Sequence, residues 1–237
     1  MLNVKLPETD EERMDILRTA IAQEEQNGTW DRILSGTELH ELQLFMTSFE
    51  RARSTLDQVL DDRNKAKNLH ADLFKNARLY VSHFIQVLFL TAIRKEIKAE
   101  SLALYGLNEK DRILPDLSTE EAVLNWGENL IRGESERTGR GGIPMYNPAI
   151  AKVKVHYELF QESIQSMAVY EKNVLRLHNN MEKLRKKADE SIWRIWTKVE
   201  ERYCRTSMDE QALRFKAYKM QIYHREKEPL SVFDYIY

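Results

Sequence analysis

The sequence predicts an all-α protein: an elongated antiparallel helical bundle, a coiled-coil-like hairpin of two long helices with shorter flanking helices. Three observations carry that expectation. The 69 residues between Gly36 and Gly106 contain neither glycine nor proline, and the 80 residues between Pro148 and Pro229 contain none either. Both stretches repeat apolar residues at three- and four-residue steps, the a/d pattern of helices packed side by side. Charged residues make up 31% of the 237, against 8 Gly and 5 Pro, a composition that suits long amphipathic helices rather than strands.

Thr9 with Glu12 has capping-box spacing and precedes Met14, Leu17 and Ile21 at helical intervals. A first helix is therefore expected over residues 9–27, closed by Asn27-Gly28. Trp30, Ile33 and Leu34 form an apolar link. Ser35 with Glu38 is a second capping box and opens a long helix over 37–98. Its seam reads Leu42, Phe45, Phe49, Ala52, Leu56 and Val59, passes Arg63, Ala66 and His70, and resumes with Leu73, Ala77, Tyr80, Phe84 and Val87. Leu60, Phe74, Val81 and Leu88 widen the stripe beyond a single seam, which implies contact with more than one partner helix.

A connector over 99–147 follows. Ser118 with Glu121 caps a short helix over 118–136 that carries Ala122, Val123, Trp126 and Ile131, and the glycine-rich stretch from Thr138 to Pro144 reads as loop. Asn147-Pro148 has the character of an N-cap and first helical residue for a second long helix over 148–205. That seam runs Ile150, Val153, Tyr157, Phe160, Ile164, Met167, Glu171, Val174, His178, Met181, Arg185, Ala188, Ile192, Ile195 and Val199. The two seams superpose at an offset of 108 residues, Leu69-His70 falling on Leu177-His178. A duplication and two independent heptad segments account for this match equally well. In the remaining segment, 206–237, the helical period fades from Ser207 and Tyr218, Met220, Ile222 and His224 alternate, which predicts a small C-terminal β-hairpin. The whole chain, 1–237, reads as a single helical domain.

Each long helix is least apolar near its middle, at 61–68 and 176–187. The heptad phase is kept across both centres and no Gly or Pro is available for a turn, so both are expected to be unbroken. At 1.5 Å per residue each would be about 90 Å long.

Acidic (38) and basic (36) residues nearly balance, which argues against nucleic acid as a partner. The single Cys204 can form no internal disulfide and suits a reducing compartment. The N-terminus lacks a basic stretch followed by an apolar core, and the most apolar segment, Val81 to Ile93, is too short to span a bilayer. The expectation is a cytoplasmic protein without a membrane partner.

Polar residues inside the seams are the first site candidates. With residue 98 placed beside 148, facing positions sum to about 246 and His70 comes about level with position 176, close to His178. Two histidines in a bundle core are candidate metal ligands, but no Glu-x-x-His occurs, and a polar layer that sets helix register explains them as well. Arg137, Arg140 and Gly141, close to a helix start, are candidates for anion binding; a solvated corner is the bland alternative. Trp193 and Trp196 read as core. Phe233, Tyr235 and Tyr237 either dock on the bundle or present a partner surface. No nucleophile elbow, His-Glu-x-x-His, Cys-x-x-Cys or dinucleotide fingerprint is present, so neither catalytic residues nor a cofactor are expected.

Arg78 to Gln86 running into Leu104-Tyr105-Gly106-Leu107, then Pro115-Asp116-Leu117, then Ala188-Asp189-Glu190 with Ile195-Trp196, resemble a set of uncharacterised bacterial helical proteins. The resemblance covers most of the chain from about residue 37 and implies a helical fold without implying an activity. The functional expectation is a non-enzymatic scaffold or protein–protein interaction module with a protein partner or self-association. The alternative is a small-molecule or metal-binding bundle using His70 and His178.

Overall fold

The computed structural model describes residues 4–28 and 30–220. Their regular structure is helical throughout: α1 (Asp10–Gln26), α2 (Gly36–Ile93), a 3-10 helix (Ala99–Tyr105), α3 (Glu120–Gly139), α4 (Ile150–Tyr203) and α5 (Met208–Ala217). The hairpin expected at the C-terminus falls almost wholly on residues outside the described part. No described helix is long and apolar enough to cross a membrane. α2 has 58 residues and α4 has 54, and both pass through their polar middles without a break. The chain divides into two compact units, Met1–Gln58 with Leu175–Tyr237, and Val59–Val174.

In the first unit, the Thr9 hydroxyl accepts the Glu12 N–H while the Glu12 carboxylate accepts the Thr9 N–H, and this capping box starts α1. Charges then fasten α1 to the long helices. Arg185 donates Nε and Nη2 to Asp10, both at 2.7 Å, Arg13 donates to Asp189 at 2.8 and 3.1 Å, and Arg18 donates to Glu50. The Arg185 guanidinium holds the Asp10 carboxyl below the usual carboxylate range. Met14, Leu17 and Ala20 of α1 are buried, as are Leu42, Met46 and Phe49 of α2 and Ala188, Ile192 and Trp196 of α4. α5 was not anticipated. Ser207 caps it by accepting the Glu210 N–H, and Phe215 is its one buried side chain.

The core of the second unit gathers Ala77, Val81, Phe84, Ile85 and Leu88 of α2 with Leu102, Tyr105 and Leu107. Val123 and Leu130 of α3, Met145, and Val153 and Phe160 of α4 complete it. α3 and α4 approach closely at Gly127, where a Cβ would lie 2.4 Å from the Tyr157 ring.

Several expected boundaries move. α2 stops at Ile93 rather than 98, because Lys95 takes a positive φ and the Lys95 and Glu96 N–H groups turn back onto the Ala92 and Thr91 carbonyls. The connector helix is capped by Thr119, which accepts the Ala122 N–H, while the Ser118 hydroxyl is occupied by Asp116. That helix runs to Gly139 instead of 136, and α4 begins at Ile150, two residues beyond Pro148.

The largest correction concerns register. In the second unit α2 and α4 run antiparallel with Arg63 on Glu171, His70 on Ser163, Phe74 on Phe160 and Tyr80 on His156. These facing positions sum to 233–236 rather than about 246, a slide of about three helical turns. The last turns of α2 are covered by the connector instead, since Leu88, Phe89 and Ala92 share a core with Leu102, Tyr105, Leu107 and Met145.

Candidate functional site

In the first unit, α1 occupies one flank of the α2–α4 pair, and on the opposite flank no described element covers the pair. At 100° per residue, Arg185 and Asp189 point toward α1 while Leu184, Lys187, Ser191 and Arg194 turn the other way. A groove of about 500 Å³ lies there. Its floor is apolar: Leu34, Leu42 and Ile195 are buried, and Phe45 and Leu184 are half-buried. Its rim is charged, with Glu41 on the α2 side and Lys187, Glu190 and Arg194 on the α4 side. Leu44, at the α2 edge, is 60% exposed. Neither Lys187 nor Arg194 has an ion-pair partner among the described residues.

One end of the groove is organised by Glu38. Its carboxylate accepts the Lys198 ammonium at 2.6 Å and both the N–H and the hydroxyl of Ser35. Lys198 first and the Ser35 donors next pull its pKa down to about 2. Behind Leu34 sits a second carboxylate, that of Glu24, fully buried. It accepts the Leu34 N–H and the Ile33 N–H at 3.0 Å each and the Tyr218 hydroxyl at 2.6 Å. Burial first, then this carboxylate, raise the Tyr218 phenol.

The histidine candidates are not brought together. His70 bonds through Nδ1 to Ser163 Oγ at 2.8 Å and through Nε2 to Glu120 at 2.9 Å, and the register places 163, not 176, opposite it. His178 is exposed on α4. Among the described residues, no three ligating side chains gather as a metal site would require.

Ser163, His70 and Glu120 have the composition of a nucleophile, a base and its orienting carboxylate. Their hydrogen-bond directions do not suit that chemistry. The single hydroxyl hydrogen of Ser163 goes to the Phe160 carbonyl at 2.6 Å, so its oxygen accepts from His70 rather than donating to it. Ser163 also sits in the middle of α4, where the backbone N–H groups serve the helix ladder and leave no oxyanion donors. The arrangement pins α2 to α3 and α4.

Arg137 is internal. Its guanidinium donates to both oxygens of Glu134 at 2.9 and 3.0 Å, to Tyr105 Oη at 2.8 Å and to the Ile143 carbonyl at 2.7 Å. Glu134, 1% exposed, also accepts the Tyr105 hydroxyl at 2.5 Å and the Met145 N–H at 2.8 Å. Burial first, then Glu134, raise the Tyr105 phenol. With Nε and Nη2 bonded inside the protein and its side chain 7% exposed, Arg137 ties the glycine-rich turn to α3. Arg140 is exposed and paired with Glu136, and Gly141 supplies the positive φ of the turn. Trp196 is buried and donates Nε1 to the Tyr218 carbonyl, whereas Trp193 is partly exposed. Phe233, Tyr235 and Tyr237 lie outside the described residues.

Sequence reading missed the groove itself and the two buried carboxylates. The chain matches no protein-family profile, no curated protein and no solved structure, so the chemistry of these side chains carries the functional reading.

Proposed function

We propose that this chain is a non-enzymatic scaffold or protein–protein interaction module that docks an apolar segment in the groove between α2 and α4 of the first unit. The carrying observation is the groove: an apolar floor between two antiparallel helices, covered on one side by no described element and bordered by charges of both signs. Grooves of this kind take amphipathic segments through apolar anchors, with rim charges setting orientation. The buried polar groups support the same reading. Glu24, Glu134, Arg137 and His70 each make hydrogen bonds that join one element to another, a role in holding the frame.

The test is selection of random twelve-residue peptides on the full chain. Enriched peptides should be rich in Leu, Ile, Phe and Tyr, and should lose binding at least tenfold to Leu44→Glu, a substitution at an exposed position that leaves the helical circular-dichroism signal unchanged. Peptides indifferent to Leu44→Glu, or no enrichment at all, would remove the groove from the proposal.

A further inference from the structure

We infer that the segment taken by the groove is the α2 edge of a second copy of this chain, in a twofold pair whose axis runs parallel to α2 and α4. The inference rests on the reading of the groove as a docking site and names its partner.

Register is the first argument. Glu38 holds Lys198, so facing positions of α2 and α4 in the first unit sum to 236. A half-turn about an axis parallel to the helices keeps every residue at its own height and exchanges the two helices, so α2 of one copy lies antiparallel to α4 of the other. Each residue of the α2 edge then meets the α4 residue already level with it. Glu41 meets Arg194, Leu44 meets Ser191 and Ser48 meets Lys187, every pair summing to 235. All six residues line the groove, and the twofold axis repeats the three pairs as a second set.

Shape at those pairs is the second. Leu44, 60% exposed, comes against a serine that stands one turn from both Lys187 and Arg194, where a short side chain leaves room for an apolar knob above the floor of Phe45 and Leu184. Ser191 donates its hydroxyl to the Lys187 carbonyl, so covering it orphans no donor. Ser48 in turn leaves room for the aliphatic stem of Lys187.

Charge is the third. Glu41, Lys187 and Arg194 are exposed and have no ion-pair partner among the described residues. The acid stands on the α2 lip and the two bases on the α4 lip, and in the twofold pair each lip meets the opposite one. Glu190, the remaining rim charge, lies about 40° further round α4 than Arg194, turned away from the mouth. The result is four helices around an apolar centre with complementary charges at both edges, an arrangement that fixes orientation as well as partner.

The test is sedimentation velocity on three full-length chains, the natural one, Glu41→Arg and Arg194→Glu, with circular dichroism confirming that both exposed substitutions leave the helical signal unchanged. The natural chain should be dimeric at concentrations on the order of 10 μM. Either substitution sets like charges against each other in both copies of the 41–194 pair and should weaken dimerisation at least tenfold. Mixed in equal amounts, the two variants again oppose unlike charges in both pairs, and a heterodimer should form with affinity within about threefold of the natural one. A natural chain that stays monomeric at about 100 μM, while selected peptides still bind it in a Leu44-dependent way, would overturn the second copy and leave the docking site in place. A dimer indifferent to both substitutions, or variants that fail to associate on mixing, would overturn the pairing. A monomer whose selected peptides also ignore Leu44→Glu would remove the docking site itself.

Discussion

Removing the Glu134 carboxylate should cost the second unit a large share of its stability. In Glu134→Ala, four hydrogen bonds vanish: two from Arg137, one from Tyr105 and one from the Met145 N–H. What remains is a guanidinium whose side chain is 7% exposed, with only the Ile143 carbonyl and the Tyr105 oxygen as acceptors. Breaking a buried ion pair from one side typically costs about 3–5 kcal/mol, mostly because the surviving charge stays desolvated. The retained bond to Ile143, at 2.7 Å, places the expected loss near the low end, about 3 kcal/mol. A Glu134→Leu/Arg137→Met/Tyr105→Phe variant removes every orphaned polar side chain at once and should recover more than half of that loss. Urea unfolding followed by circular dichroism gives the free energies, and amide exchange of peptides from 99–149 shows whether the loss is local to this unit. A single-variant loss below about 1 kcal/mol, or a triple variant less stable than the single one, would refute the reasoning.

Three further outcomes follow from the same coordinates. Gly133→Ala should destabilise by about 1–3 kcal/mol despite better helix propensity, because its Cβ would meet the Leu104 carbonyl at 2.8 Å and the Tyr105 ring at 2.6 Å; Gly139→Ala, with nothing within 4 Å, should be neutral or slightly stabilising in a thermal melt. The folded pKa of Glu38 is lowered from 4.5 to about 2, so its contribution is present above pH 4.5 and is lost as pH falls toward 2; with both partners about a third exposed, the contribution is about 1–2 kcal/mol rather than the full shift, and Glu38→Gln should flatten the acid limb of the stability curve accordingly. His70→Ala should cost about 1–2 kcal/mol by freeing α2 from Glu120 and Ser163, whereas His178→Ala, at an exposed position, should stay within about 0.5 kcal/mol; equal losses in chemical denaturation would reinstate a shared histidine layer.

Helix starts were legible because their signals are local. Thr9-x-x-Glu12 and Ser35-x-x-Glu38 each place a hydroxyl and a carboxylate at hydrogen-bonding distance from free N–H groups whatever the rest of the chain does. The same signal at Ser207-x-x-Glu210 was present and went unread, because only one side chain of the helix it starts is buried and no apolar period follows. Rotational phase was legible too. Apart from Glu171 and His178, the α4 seam residues are buried or half-buried, and so are those of α2. Axial register was not. A heptad pattern says which stripe faces the partner and nothing about how far the partner has slid along it. That slide is decided by the connector, where Leu102, Tyr105 and Met145 take the place on α2 that the start of α4 was expected to fill.

The buried charges show the same limit from another side. Glu134 and Arg137 stand in the run Gly-Glu-Ser-Glu-Arg, which reads as a solvated helix face because charged residues are rarely buried unless paired. The information was nevertheless there as spacing. Continuing from Val123 by four- and three-residue steps gives Gly127, Leu130, Glu134 and Arg137, and all are buried. Two glycines on α3 complete the signal: Gly127 and Gly133 each abut an aromatic ring, Tyr157 and Tyr105, and a helix that gives up propensity for glycine twice does so to bring backbones close. A carboxylate and a guanidinium one turn apart on that inward stripe must satisfy each other. Position on a stripe therefore outranks residue polarity when the two disagree. By the same rule, the half-buried apolar Phe45 and Leu184 lie beside the α2–α4 stripe and line the groove left among the described residues.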